Sequence, residues 1–332
     1  MRAIIHLRGR SGLSCRVLEK EKFLASNILK NNNLKRSMLM FKLSSGKDIA
    51  IKDAANFIAE LNQKKEHHIG FCGKDEQEIS NSLHEDFEDI SYEDCFIGIT
   101  VNEKLIGLIG ADIDLDDGSA EILGPFVEEP QGVDVALNMW EELLALLPSS
   151  VKHFILFPNV QNQLVSKFAE KLQFEQKTDQ YILTMSESQL PNQYVQHGEL
   201  LEEDHEAFKS LHDYAFPKTY YDGQEIVERL NENQKVFVMK EAGSLAGYAY
   251  VEADPEFGDA SIEFIAVNPE QRGKGYGKKL LTTVVDWLFS FDTINTITLC
   301  VADDNTGAIN LYQSAGFKVE HRLHYFTKEE GS

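Results

Sequence analysis

The sequence predicts an α/β chain built as two tandem domains, each a mixed sheet with helices on both faces. Three observations carry that reading. At 332 residues the chain has room for two domains of roughly 150 residues each. Alternating apolar runs and helical apolar spacing succeed one another in mixed order through both halves, the pattern of helices laid over a sheet. The two halves also repeat each other at an offset near 140 residues.

Taken in order, the first copy opens with a strand at 41–43 and helices at 50–63 and 74–88. The second opens with a strand at 194–199 and helices at 204–215 and 224–233. The run 75–94 holds nine acidic residues and no Lys or Arg, as expected of a solvated helix face and loop. A hairpin follows at 95–107 and again at 236–247. Residues 120–127 then match 261–267, helix 137–147 matches 278–289, and Asn162, Phe168 and Phe174 match Asn305, Leu311 and Phe317. The polar stretch 186–193 joins the copies, so we expect domains at 38–187 and 193–328. Residues 1–37 carry nine Arg and Lys against only Glu19 and Glu21. They are expected to form a basic, poorly ordered extension, with the folded part starting at Met38 or Met40.

Composition narrows the function. A hydrophobic content of 42% with 10% aromatic residues is enough for packed cores. The formal charge is 32 − 54 = −22, which argues against a nucleic-acid partner and an anionic membrane surface. It suits a cationic substrate such as an amine, and equally an ordinary acidic cytosolic protein. No run of about 18 apolar residues is present to span a membrane. Cys15, Cys72, Cys95 and Cys300 form no C-x-x-C pair and no zinc-spaced cluster. They read as reduced thiols of a cytoplasmic protein with no metal site.

One stretch points to chemistry. An apolar alternating run ends at Asn268-Pro269, and a helical pattern with Leu280, Leu281, Val284, Trp287 and Leu288 on one face begins beyond Gly273, Gly275 and Gly277. Glycines without Cβ atoms expose backbone N–H groups at the positive end of the following helix dipole, the physics of a pyrophosphate cradle. The alternating glycines do not make G-x-G-x-x-G, and no Gly-Lys-Ser/Thr follows, so dinucleotide and P-loop uses are excluded. What remains is R-x-x-G-x-G, formed by Arg272, Gly275 and Gly277. This resembles the acyl-CoA signature of the GNAT N-acetyltransferase family. Asn305, Ala308, Tyr312, Gly316 and Phe317 resemble the second signature of that family, N-x-x-A-x-x-x-Y-x-x-x-G-F. Together the two signatures cover residues 260–320.

The resemblance implies two tandem GNAT-like domains with mostly antiparallel sheets, and acetyl-CoA as acyl donor. It implies acetyl transfer to a primary amine, of a small molecule or a peptide, by direct attack in a ternary complex without a covalent acyl-enzyme. An amine with a pKa of about 10.4 must lose a proton before it attacks, and a departing thiolate, of pKa about 8.5, must gain one. By resemblance Tyr312 is the acid. Glu263 is the candidate base, and period-two alternation is expected to put it on one face with Ile265 and Val267. The N–H of Ile265 is expected to meet the thioester carbonyl. Ile265, Ala266, Val267, Arg272, Gly273, Lys274, Gly275, Tyr276, Gly277, Asn305 and Ala308 form the expected CoA site. Asn305 is also a good helix N-cap, and Tyr312 is at helical spacing for core packing. Tyr220 and Tyr221, in the loop 216–223, are expected to line the acceptor pocket, whereas His205 and His212 read as ordinary helix residues. In the first copy Asp134 is expected at the position of Gly275, Gln131 at that of Arg272 and Ala169 at that of Tyr312, so that copy is expected to be degenerate. A non-catalytic acetyl-CoA-binding sensor or interaction module is the other reading left open.

Overall fold

The computed structural model describes residues 41–330 apart from 86, 88, 129–131, 187–197 and 218. The expected extension 1–37, Gln131 and most of the joining stretch lie outside the described residues. The chain forms two compact units. One takes the chain up to Lys177 together with the segment from Leu323, and the other is Thr178–Arg322.

The first unit contains β1 (Phe41–Ser45), α1 (Ile51–Asn62), α2 (Glu76–Glu85), α3 (Tyr92–Cys95), β2 (Phe96–Val101), β3 (Lys104–Asp114) and β4 (Ser119–Val127). These are followed by α4 (Val133–Leu146), β5 (His153–Leu156), α5 (Gln163–Lys171) and β6 (Glu175–Gln176). In the second unit β7 (Gln180–Ser186) and β8 (Gly198–Glu199) precede α6 (His205–Ala215), α7 (Gly223–Arg229), β9 (Gln234–Glu241), β10 (Ser244–Asp254) and β11 (Asp259–Val267). Then come α8 (Tyr276–Leu288), β12 (Thr296–Ala302), α9 (Thr306–Ala315) and β13 (Lys318–Leu323); β14 (Phe326–Glu329), which follows, belongs to the first unit. Two seven-stranded sheets result, ordered β1-β2-β3-β4-β5-β14-β6 and β13-β7-β12-β11-β10-β9-β8. Among the strand pairs with a defined register, pairing is antiparallel except between β4 and β5 and between β11 and β12. The expected mixed, mostly antiparallel sheets with flanking helices are therefore present in both units.

The β3–β4 and β10–β11 hairpins turn on the same device at an offset of 140 residues (254 − 114). Asp114 Oδ1 accepts from the N–H groups of Asp116 and Asp117, and Asp254 Oδ1 from those of Glu256 and Phe257. Each turn closes on a left-handed glycine, Gly118 (φ 71°) and Gly258 (φ 74°). A Cβ there would sit 2.8 Å from the Ser150 carbonyl or 2.7 Å from that of Thr293.

Alternation along β10 gives the second sheet a core on each face. Ala249 and Val251 pack with Leu280, Leu281 and Val284 of α8, while Tyr248 and Tyr250 pack with Phe208 of α6 and Ile226 of α7. In the first unit Trp140 of α4 is buried, edge-on to Phe154, Phe168 and Phe174.

The sheets do not follow the division 38–187 and 193–328 expected from chain order. The β7 strand pairs antiparallel with β12 through seven residue pairs, Thr296↔Ser186 to Ala302↔Gln180, while β14 pairs with β5 and β6 of the first sheet. A 178–322 fragment should therefore unfold in one cooperative urea transition, and a 198–322 fragment, lacking β7, should not. Equal cooperativity by circular dichroism would contradict this.

Candidate functional site

The site of the second unit is built where β11 leaves β12. The two strands pair only at Asp259↔Thr296, Ala260↔Ile297 and Ser261↔Thr298 and then separate. At the same point the β10–β11 register shifts, from Tyr250↔Phe264 to Val251↔Ile262, which makes Glu263 the extra residue of a β-bulge. The bulge reverses the alternation. Ala260 and Ile262 pack on the α8 side, but Phe264 and Ala266 pack on the α6–α7 side, with Ile265 and Val267 turned to α8. Glu263 therefore does not share a face with Ile265 and Val267 as period-two alternation implied, and its carboxylate faces the α6–α7 side instead.

The backbone of β11 beyond the bulge is directed into the gap. The Asn268 N–H donates to the Ala246 carbonyl of β10 at 2.9 Å. Successive N–H groups alternate sides, so Ala266 also faces β10, while Ile265 and Val267 turn theirs toward the gap. Arg272 Nε donates to the Val267 carbonyl at 3.2 Å, tying the glycine loop to that edge. In the loop Gly273 and Gly275 have φ of 79° and 81°, and a Cβ on either would meet nothing within 4 Å. Glycine is thus required by backbone conformation, and the space above the loop is open. Gly275 caps α8 without any side-chain hydrogen bond, so the first amides of the helix, on Tyr276, Gly277 and Lys278, lie at the loop with no intrahelical acceptor. Lys274 Nζ bonds Gln271 and the Glu241 carboxylate, to which the Tyr276 hydroxyl also donates. A positive helix terminus, open glycines and gap-facing amides fit the phosphates and amide-bearing arm of CoA, the group the sequence led us to expect.

Asn305 caps α9, its Oδ1 accepting from the Ala308 N–H at 3.2 Å. Two helical turns on from Asn305, Tyr312 is buried in the α8-side core, edge-on to Phe317 at 6.0 Å. Burial, and next the Cys300 thiol, push its hydroxyl well above the ordinary phenol value. Tyr312 therefore holds its proton at neutral pH.

On the α6–α7 side the loop between the helices is fixed in place. Asp222 forms a capping box with Glu225, and the Gly223 N–H donates to Asp213. Tyr220 packs against Phe264 and Tyr221 and donates its hydroxyl to Glu263. Burial above all, with the Glu252 charge adding, raises the Glu263 pKa above the usual carboxylate value, against hydrogen bonds from Ser261 and Tyr220. Arg229 lies 4.1 Å over the Tyr221 ring and 3.6 Å from Glu252, whose Oε1 takes the Tyr250 hydroxyl at 2.5 Å.

His212, which the sequence suggested to be an ordinary helix residue, is fully buried and bonded through both ring nitrogens. The Tyr221 carbonyl, 2.8 Å from Nε2, can only accept, so Nε2 carries the proton and Nδ1 accepts from the Tyr248 hydroxyl at 2.6 Å. Burial lowers its pKa, in keeping with the neutral ring. Neither this lock nor Arg229 was visible in the sequence, because both depend on partners brought from other strands and helices.

The first unit keeps the gap but lines it with different groups. There β4 and β5 separate after Glu121↔Ile155, and the Glu128 N–H donates to the Ile106 carbonyl as Asn268 does to Ala246. The gap-facing position of Ile265 is taken by Pro125, which has no N–H to offer. Helix caps align Gly132 with Gly275, since each caps its helix at positive φ. Asp134 thus corresponds to Gly277, two residues later than expected, and still sets a carboxylate in the first turn, 4.0 Å from Lys171. Ala169 stands buried in the place of Tyr312. The acceptor-side loop is bonded to the chain after β5: the Gly70 N–H donates to the Phe157 carbonyl at 2.8 Å, and the Asn159 N–H to that of His68 at 2.9 Å. Among the described residues no His, Cys, Asp and Glu group could hold a metal, and no helix is long and apolar enough to cross a membrane.

Comparison with known proteins agrees with this geometry. Residues 198–317 match the acetyltransferase (GNAT) family model. Spermidine N(1)-acetyltransferase of Vibrio cholerae is 29% identical over 122 residues, covering 35% of this chain and 70% of that protein. A GCN5-related N-acetyltransferase from Sphaerobacter thermophilus superposes with a TM-score of 0.68 at 16% identity, over 87% of this chain and 95% of that one. A tandem GNAT protein from the clavulanic acid biosynthesis pathway superposes with a TM-score of 0.61 at 14% identity, over 89% and 99%. At such identities the structural likeness is one of fold, and it extends to the tandem arrangement. Through residues 198–317 the chain carries a domain of the acetyltransferase (GNAT) family, which makes it an acyltransferase.

Proposed function

We propose that the second unit transfers an acetyl group from acetyl-CoA to a primary amine by direct attack, and that the first unit is a degenerate, non-catalytic copy. The observation that carries this is the contrast between the two gaps. One is lined by the amides of Ile265 and Val267 and a glycine cradle, while the other has Pro125 and Asp134 at the matching places. The spermidine-acetylating relative supports an amine acceptor for the matched segment.

Acetyl-CoA supplies the thioester whose acyl group is transferred. In this reading the amides of Gly273 to Gly277 and the α8 terminus bind its pyrophosphate, with Arg272 and Lys274 adding charge. Val267 and Ala266 flank the arm, Asn305 and Ala308 hold the start of α9 against it, and the Ile265 N–H polarises the thioester carbonyl. Glu263 takes a proton from the incoming ammonium, on the face bordered by Tyr220 and Tyr221. Tyr312, protonated at neutral pH, gives one to the departing thiolate.

Release of free thiol from acetyl-CoA across a panel of primary amines tests this. Turnover is expected with some amines, and Tyr312→Phe should lower kcat by about 100-fold with little change in acetyl-CoA affinity. Acetyl-CoA binding without turnover on any amine would favour a sensor. Full activity of Tyr312→Phe would remove that residue from the mechanism.

Acid should silence the base. The Glu263 pKa is raised above its ordinary 4.5, so the carboxylate stays protonated to a higher pH than a free one. The acidic limb of kcat/KM is therefore expected above pH 4.5 and should vanish in Glu263→Gln along with most of the activity. An unchanged limb in that variant would assign it to another group.

A further inference from the structure

Hydrogen-bonding capacity on the acceptor side is unevenly used, and the imbalance points to a substrate class. We infer that the acceptor carries a carboxylate as well as its reacting amine and that Arg229 binds this carboxylate, so that the preferred substrates are amino acids with a side-chain primary amine rather than polyamines. The inference rests on the reading that the reacting amine meets Glu263.

Both carboxylates on this face already have donors. Glu252 accepts the Tyr250 hydroxyl at 2.5 Å, and Glu263 accepts from Tyr220 and Ser261. The guanidinium is different. Its terminal nitrogen is 3.6 Å from Glu252, an ion-pair contact too long for a hydrogen bond. Its Nε is buried with no acceptor in reach. It shares the Tyr250 hydroxyl, yet five N–H donors exceed what that oxygen and Glu252 can satisfy. The side chain is 37% exposed, so part of it is open to solvent although Nε is buried. A partly desolvated guanidinium with donors to spare is complementary to a carboxylate, which it grips by two parallel hydrogen bonds.

A second ammonium with no carboxylate beside it fares worse at the same place. Glu252 is held by Tyr250 and Arg229, and Glu263 is needed by the reacting nitrogen. The face of Tyr221, where an organic cation would stack, is occupied by Arg229 itself at 4.1 Å. Arg229 also repels any cation approaching Glu252. The overall charge of −22 attracts the doubly charged diamine more strongly than the singly charged amino acid, so the preference has to come from the local Arg229–carboxylate contact.

Lysine and cadaverine, or ornithine and putrescine, differ only by the carboxylate. With the full-length chain and saturating acetyl-CoA, thiol release should give a kcat/KM for the amino acid at least about tenfold above that for its diamine in one or both pairs. Arg229→Met should reduce that preference to within about twofold, by raising the amino-acid KM. Arg229→Lys, which keeps the charge without the planar fork, should retain an intermediate preference. Thermal unfolding and the acetyl-CoA KM report whether each variant is folded. Equal or better use of the diamines, turnover of other amines but of neither pair, or a preference that survives in folded Arg229→Met would each overturn the inference while leaving amine acetylation in place. Thiol release with no amine of any kind would instead overturn the acetylation reading itself.

Discussion

The separation of β11 from β12 after Ser261 is the constraint on which the rest of the site depends. Parallel pairing would otherwise consume the backbone groups of β11, and a fully paired central strand has none to offer a ligand. The bulge at Glu263 ends the regular register at that point. It does two things at once: it frees an edge carrying the Ile265 and Val267 amides, and it turns Glu263 to the α6–α7 face. The gap-facing amides and the Glu263 carboxylate thus lie on different sides of one strand, as the proposed reaction requires.

The first unit shows what happens when this backbone arrangement survives without its donors. Its strands separate at the matching residue pair, and its hairpin turns on the same Asp and Gly. Retaining the fold requires only the apolar alternation and the turn glycines. Binding an acyl-CoA requires an N–H where Pro125 stands and an uncharged helix start where Asp134 stands. The two sets are independent, so a unit can keep this fold without the groups proposed to bind acyl-CoA.

Much of this was legible in the chain. Apolar periodicity marked the hairpins and the helix after the glycines, and the R-x-x-G-x-G signature marked the loop in which Gly273 and Gly275 take positive φ. The face of Glu263 was misread, because a bulge adds one residue in space without altering the written alternation. The position of Asp134 was misread by two residues, because the loops before α4 and α8 differ in length and only the helix caps reveal the alignment. His212 and Arg229 were not legible at all. The role of His212 comes from Tyr248 of β10 and the Tyr221 carbonyl, and that of Arg229 from Tyr221 and Glu252. The exchange of β7 and β14 between sheets was also hidden, since either strand fits either sheet by pattern alone.

Titration calorimetry of the full chain with acetyl-CoA tests the central claim most directly, because it counts sites without requiring a known acceptor. The account predicts one site per chain, formed by the second unit. Two sites of similar affinity, or none, would contradict it.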